Sequence, residues 1–473
     1  MNIEAVLDSD LGSIVALAGC GKTHLITEAL SIRAQKPILV LTHTTAGVSA
    51  LKKRLRRLSV PTSYYVVTTI DGWALRIANS FPASCPISAS PDNPRQFYPE
   101  LRRSVLSSLN SGGLHEIIKA SYSRLLVDEY QDCDNNQHNI IASLSQVLPT
   151  VVFGDPMQCI FSFAGPMPDW QQEVQQRFPL LGTLGTPWRW NNAGAPDLGE
   201  WILDARETLL RRESLDLTDC PNHVLWRPLT GNAQTDLINQ HNAQQRIINQ
   251  NQTDSFLVIG SSMNERSRHR YAQSSRTTQV VEQVQLAQVI TAASEFDRLN
   301  GINLVESILT TASTMATNVE MARTLTRVKS ILGGRNRQPP TTFEQALSNV
   351  ASSNERSDIL TALQQVESKN GTRIYRRSAY TALKDLVSLS VSSPDKTMSE
   401  SAMIIREQIR QKGDTRIPKR AIGSTLLLKG LEADHCLILD ANERGMDNKH
   451  LYVALSRGAK TVTVFSRNNQ IIK

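Results

Sequence analysis

The run Ala16-Leu-Ala-Gly-Cys-Gly-Lys-Thr23 holds residue types that can bind a polyphosphate. A glycine-rich turn between a strand and a helix aims several backbone N–H groups at one anion. Gly19 and Gly21 would let the backbone approach phosphate oxygens. Lys22 would reach the β- and γ-phosphates, and the Thr23 hydroxyl would bind Mg²⁺. A chance Gly-Lys-Thr at a helix start is the competing reading. In Leu125-Leu-Val-Asp-Glu-Tyr-Gln-Asp132 two adjacent carboxylates end an apolar strand, which is costly unless something cationic meets them. Asp128 would hold Mg²⁺ and Glu129 would activate a water as general base. The alternative is a solvated acidic loop, against which the apolar strand argues. In Val151-Val-Phe-Gly-Asp-Pro-Met-Gln-Cys-Ile-Phe-Ser-Phe-Ala-Gly165, Gln158 could sense a γ-phosphate. Phe161 and Phe163 suit stacking on bases of a single strand, with ordinary core as the other reading of each.

The elements that must position these groups read as an α/β chain. Ile14–Leu17 predicts a strand, followed by the glycine turn and a helix from His24 to Arg33. Ile38–Leu41 predicts a second strand, then a basic helix over Ser49–Leu58. Strand–helix alternation implies parallel strands with crossover helices. Pro82, Pro86, Pro91 and Pro94 interrupt this pattern before a short helix around 99–110, and suggest a small inserted subdomain over the stretch from 79 to 120. Ser123–Val127 and Thr150–Phe153 resume the sheet, each followed by acidic residues at the carboxyl end, where open α/β sheets bind ligands. Beyond 183, strands are expected at Val224–Trp226 and Phe256–Ile259, with a helix over 233–249. A helical block follows at 263–404, including Gln279–Ala293, Asn303–Met315 and Phe343–Val350. Strands return at Thr425–Leu428, Cys436–Leu439 and Thr461–Phe465.

Composition bounds the class. The 473 residues suffice for a sizeable core, and 51 Lys and Arg against 44 Asp and Glu leave a charge of +7, which permits a polyanionic partner without demanding one. Hydrophobic residues are 40% and charged ones 20%, which excludes a disordered or fibrous chain. No apolar run of transmembrane length and no secretory leader is read, so a cytoplasmic protein without membrane attachment is expected. The six cysteines are scattered with no CxxC pair, which argues against a zinc knuckle or disulfide framework. All six tryptophans lie in the first half.

These motifs resemble, in order, those of superfamily 1A helicases of the UvrD/Rep/PcrA type, over residues 16 to 460. Thr42-His-Thr-Thr45 matches the family's DNA segment and Thr69-Ile-Asp-Gly72 a further DNA contact. Asp128-Glu-Tyr-Gln-Asp132 matches unchanged. Thr186-Pro-Trp-Arg-Trp190 is similar to an arginine motif, Lys429-Gly-Leu-Glu432 to a nucleotide and coupling motif, and Leu451-Tyr-Val-Ala-Leu-Ser-Arg457 to the last motif. The resemblance implies two RecA-like parallel-sheet P-loop motor domains, each with a mainly helical insertion. The expected domains are 1-72 and 121-182 (1A), 73-120 (1B), 183-262 and 405-473 (2A), and 263-404 (2B).

The implied activity is an ATP-dependent, 3′→5′ single-stranded-DNA translocase or helicase with ATP and Mg²⁺. The implied catalytic set is Lys22, Glu129, Gln158, Arg189 and Arg457. Ala18, Gly19, Cys20, Gly21, Lys22, Thr23, His24, Gln158, Arg189, Glu432 and Arg457 would bind nucleotide, and Thr23 and Asp128 the metal. Thr42, His43, Thr44, Thr69, Phe161, Phe163 and Thr425 would face single-stranded or forked DNA. Departures are concentrated on the DNA side: His43 replaces an aromatic Phe, Ala46 a Lys and Ala433 a Phe, and the family's adenine-binding Gln falls on Asn2. They favour hydrolysis over processive unwinding. The alternative is a DNA- or nucleotide-sensing ATPase switch that regulates a partner nuclease, as compact helicases accompany OLD-family nucleases in Gabija anti-phage systems. The basic run Leu51-Lys-Lys-Arg-Leu-Arg-Arg57 reads either as a phosphate-tracking face or as a solvated helix face.

Overall fold

The computed structural model describes residues 3–91, 93–161, 165–282, 286–412 and 418–471. The chain forms two compact units, Met1–Leu229 with Lys429–Lys473, and Thr230–Leu428. Strands β1 (Leu11–Ala16), β2 (Ile38–Thr42), β3 (Tyr65–Thr69), β4 (Arg124–Val127), β5 (Thr150–Gly154) and β6 (Leu180–Leu184) build one sheet of the first unit, in the order β3-β2-β4-β5-β1-β6. Every neighbouring pair in it is parallel.

Successive side chains of a strand point to opposite faces. Ile38 and Val40 join Ile14, Leu126 and Phe153 in one core, closed by the helices Lys22–Ser31 and Thr45–Arg57 through Leu25, Leu51 and Leu55. Leu39, Leu41, Leu125 and Val127 face another core, closed by Ile70–Ser80, Pro94–Asn110 and Asn135–Leu144 through Trp73, Leu101 and Ile140. Both faces are covered, so the strands read as continuous apolar runs. The proline-rich stretch contributes Phe97, Leu101, Val105 and Leu109 to this same core. Arg102 pins it there, donating to both oxygens of Asp71 at 2.7 Å and to Asp134 at 2.6 Å.

The remaining strands are β7 (Leu215–Asp216), β8 (Val224–Pro228), β9 (Phe256–Gly260), β10 (Gln279–Val280), β11 (Arg420–Ser424), β12 (Ala433–Ile438), β13 (Gly458–Ser466) and β14 (Gln470–Ile471). In the first unit β12, β13 and β8 are parallel neighbours in that order, and β7 pairs with β14 antiparallel. In the second unit β10, β11 and β9 are parallel neighbours. Its helices Gly301–Ser313, Thr342–Ser353, Arg356–Ser368 and Arg377–Ser392 enclose Leu304, Ile308, Leu347, Leu363 and Leu383. The architecture is mixed α/β with two sets of six parallel strands and many helices, as two RecA-like domains require.

Three sequence readings need correction. Thr425–Leu428 is a helical turn, not a strand; the strand is β11, just before it. Three consecutive leucines are good helix formers, and their apolarity alone does not separate the two states. Within Gln279–Ala293, residues 279 and 280 pair as β10 and the helix begins only at Ala287. The helix around 99–110 starts at Pro94, a residue suited to a first turn. Strands β3 and β6 are additions to the sequence reading. Among the described residues no helix is long and apolar enough to cross a membrane.

Candidate nucleotide and nucleic-acid site

A six-stranded parallel sheet sends all its carboxyl ends to one edge. Residues 17–21 follow β1, Thr42 ends β2, Thr69 ends β3, Asp128 follows β4, Asp155 follows β5, and Arg189 comes soon after β6. Segments far apart in sequence therefore meet along one line.

The turn after β1 depends on two glycines. Gly19 and Gly21 have φ of 69° and 90°, the left-handed region that glycine enters freely. A Cβ on Gly19 would also lie 2.8 Å from the Trp190 ring. Lys22 opens the helix Lys22–Ser31 and reaches the end of β4: its Nζ lies 2.9 Å from Asp128 Oδ1 and also pairs with Glu129. Glu129 sits at φ 56°, a conformation a non-glycine residue adopts at a cost. It puts the carboxylate beside Lys22, where Gln131 Nε2 also donates to it at 2.6 Å.

These charges shape one another. Burial works against the ionised Glu129, but Lys22 and Lys429 outweigh it and hold the carboxyl down at about 2. Burial raises Asp128, and Lys22 only partly offsets that. Burial opposes the Lys22 charge, yet Asp128 and Glu129 overcome it and keep this ammonium above the usual lysine range. One carboxylate is thus firmly ionised beside a second whose proton is held more tightly.

Arg189 and Arg457 join from other elements of the same unit. Arg189 Nη1 donates to the Ser456 carbonyl at 2.6 Å and Nε lies 2.5 Å from Glu432 Oε2. Its backbone N–H donates to the Gly19 carbonyl at 3.1 Å, tying it to the glycine turn. Arg457 is buried, its guanidinium spent on the carbonyls of Val453 (2.8 Å) and Leu431 (3.0 Å) and on Ser456 Oγ (2.7 Å). Burial, reinforced by Arg189, brings Arg457 down to about 10. Lys429 Nζ lies 2.5 and 2.7 Å from the two oxygens of Asp132. Gln158 does not touch Lys22; its Nε2 donates to Asp155 Oδ2 at 3.1 Å. His24 is exposed on the helix, 3.4 Å from an Arg54 nitrogen. Cys20 is buried, which pushes its thiol up to about 12. Ala18 is buried and Thr23 half-buried.

The DNA candidates are less unified. Thr42 is buried with its hydroxyl unpartnered among the described residues, and Thr44 and Thr69 cap their helices by accepting from Gly47 and Gly72. His43 lies 6.1 Å from Phe161, whose ring also carries Lys429 Nζ 5.1 Å away. Thr425 belongs to the other unit, buried at the end of β11. Phe163 lies outside the described residues.

Sequence reasoning gave no role here to Asp155, Arg206, Gln131, Tyr452 or Trp188. Asp155 accepts Arg206 Nη2 at 3.0 Å on one oxygen and the Tyr452 hydroxyl at 3.0 Å on the other. The same Tyr452 oxygen accepts the Ala18 N–H at 3.0 Å. Gln131 completes the chain: its Oε1 accepts the Asp155 N–H at 3.1 Å while its amide holds Glu129. Trp188 is 53% exposed, and a Cβ on Gly21 would lie 3.2 Å from its ring. The motif spacing pointed to Tyr452, but nothing in it shows which loop the hydroxyl meets.

A sequence model of the UvrD/REP helicase N-terminal domain matches residues 95–179. No curated protein sequence matches the chain. Among solved structures, a complex of the arterivirus nonstructural protein 10, a helicase, with DNA is similar at 10% identity and a TM-score of 0.27, over 54% of this chain. The match spans about half of that protein's length, 49%. Within the parallel α/β fold described above, the segment that holds Asp128, Glu129 and Asp155 is similar to the N-terminal domain of UvrD/REP helicases.

Proposed function

We propose that this protein hydrolyses ATP and couples the cycle to movement along single-stranded DNA, as a translocase or helicase. The observation that carries the reading is the meeting of Lys22 with Asp128 and Glu129 beside a glycine turn, with Arg189 tied to the same turn. Phosphoryl transfer needs chiefly positioning and charge neutralisation. Without nucleotide the Lys22 ammonium is neutralised by the two carboxylates; with it, the phosphate oxygens take their place. Glu129, freed from Lys22 once phosphate takes its place there, accepts the proton of the attacking water. Arg189 stabilises charge on the γ-phosphate, and Arg457 ties Ser456, whose carbonyl Arg189 holds, to the Leu431 carbonyl. Mg²⁺ suits the hard oxygens of Thr23 and Asp128 and would neutralise phosphate charge. Thr42, His43, Thr44, Thr69, Phe161, Phe163 and Thr425 are proposed to follow the DNA strand. The four-part 1A, 1B, 2A and 2B organisation and the 3′→5′ polarity rest on the family resemblance.

The test is ATPase activity of the purified full chain with and without a dT oligonucleotide. Stimulation by the strand is expected, with losses of about 100-fold or more in Lys22→Ala and in Glu129→Gln. Wild-type protein without strand-stimulated turnover overturns the reading. A forked-duplex arm separates a helicase from an ATPase switch that leaves strands paired.

A further inference from the structure

The basic helix over Thr45–Arg57 divides its cations among several tasks. Arg54 turns toward His24, while Lys52 and Arg56, one helical turn apart, line a groove of about 480 Å³ beside β3. Strand β3 is the last in its sheet, hydrogen-bonded to β2 alone among the described residues. Its residues Tyr65, Val66, Val67 and Thr68 form the groove floor, and Arg76 of the helix Ile70–Ser80 forms the opposite rim. Lys52, Arg56 and Arg76 are all exposed. Arg76 donates to the Tyr122 hydroxyl, and among the described residues no carboxylate lies within ion-pair distance of any of the three.

The side chains of β3 are committed to the cores: Tyr65 and Val67 pack with Leu51 and Leu55, and Val66 packs on the other face. What remains open is the backbone edge, a row of N–H and C=O groups that can template another strand. We propose that this edge is a docking site for an extended acidic segment of a partner protein, which adds a strand to β3. Main-chain hydrogen bonds would supply affinity, and alternate acidic side chains, all on one face of the added strand, would meet Lys52 and Arg56. A single nucleic-acid strand fits less well, because the groove offers no exposed aromatic ring for its bases; Tyr65 is buried. Cations at a free edge also discourage unwanted pairing, and the test separates that protective role from docking.

The probe is a fluorescein-labelled, acetylated heptapeptide of alternating Glu and Val, followed by anisotropy against the full chain. Saturable binding is expected. It should weaken about 10-fold or more in Lys52→Glu/Arg56→Glu, and equally when alternate peptide amides are N-methylated, because both charge and ladder contribute. Thermal melting of the variant verifies folding, and the N-methylated probe tests the ladder without altering the protein. No saturable binding, or equal binding of the methylated peptide, overturns the proposal. Displacement of the peptide by a dT oligonucleotide whose own binding falls in the same variant also overturns it and assigns the groove to nucleic acid. ATPase activity enters none of these arms, so the outcome is independent of the proposed function.

Discussion

At the residue scale the least expected group is Trp188. Its indole is half-exposed and lies against Gly21, where a bound nucleotide's base would need a platform if its phosphates occupied the glycine turn. Base–aromatic stacking contributes about 1–3 kcal/mol, so Trp188→Ala should raise the KM for ATP by about 10-fold while kcat changes less. Trp188→Phe should restore most of the affinity. Steady-state ATPase kinetics measure both, and an unchanged KM in the alanine variant sinks the assignment. The spacing Trp188-Arg189-Trp190 was legible in the sequence, but the two rings have opposite fates. Trp190 is fully buried with its Nε1 donating to the Gly458 carbonyl at 2.8 Å. Two identical residues flanking one arginine cannot be told apart without the packing around them.

At the element scale, the helix Asn448–Leu455 reaches the glycine turn through one hydroxyl. Tyr452 joins the Ala18 N–H to Asp155, and Asp155 leads through Gln131 to Glu129. Removing that oxygen strands a buried N–H and takes one of two donors from a buried carboxylate oxygen, which Gln158 still serves, at a cost of about 1–3 kcal/mol. Tyr452→Phe should therefore lower kcat about 10-fold, because the turn and the general base lose a common reference. Hydrogen exchange at the Ala18 amide should accelerate in the same variant. Slower turnover without faster exchange would mean that the hydroxyl acts elsewhere. The strands that carry these groups were readable as apolar runs, since both faces of a parallel sheet are covered. Strand β6 was not, because Leu180–Leu184 contains a glycine and is only partly buried.

For the whole molecule, two histidines of the second unit contribute to pH sensitivity. Burial holds His241 down at about 4, and burial with Arg376 and Arg268 holds His269 down at about 3. His241 lies 4.2 Å from the Tyr271 ring, its Nε2 2.8 Å from Ser274 Oγ, and His269 lies 3.4 Å from Glu265. Both imidazoles are neutral in the folded unit above those values, whereas an unfolded chain protonates them near 6.5. The unfolded state then binds more protons between pH 6.5 and about 4, so their contribution to stability is flat above 6.5 and falls as pH drops through that window. The melting midpoint followed by circular dichroism should show this fall, and His241→Gln/His269→Gln should flatten it. An identical slope in the double variant removes these two histidines as the cause.

Chemistry was the most legible part of this chain. Gly19, Gly21, Lys22, Thr23, Asp128 and Glu129 declare themselves, because anion binding and general-base work accept few residue types and demand short local spacing. The parallel α/β class was legible for a similar reason, since buried strands and crossover helices leave local patterns. Folding was needed to show which distant segments meet. Tyr452 lies 434 residues from Ala18, and Lys429 lies 297 from Asp132. Such pairs depend on strand order, and strand order is set by how whole faces bury one another, an energy that no local stretch of residues contains.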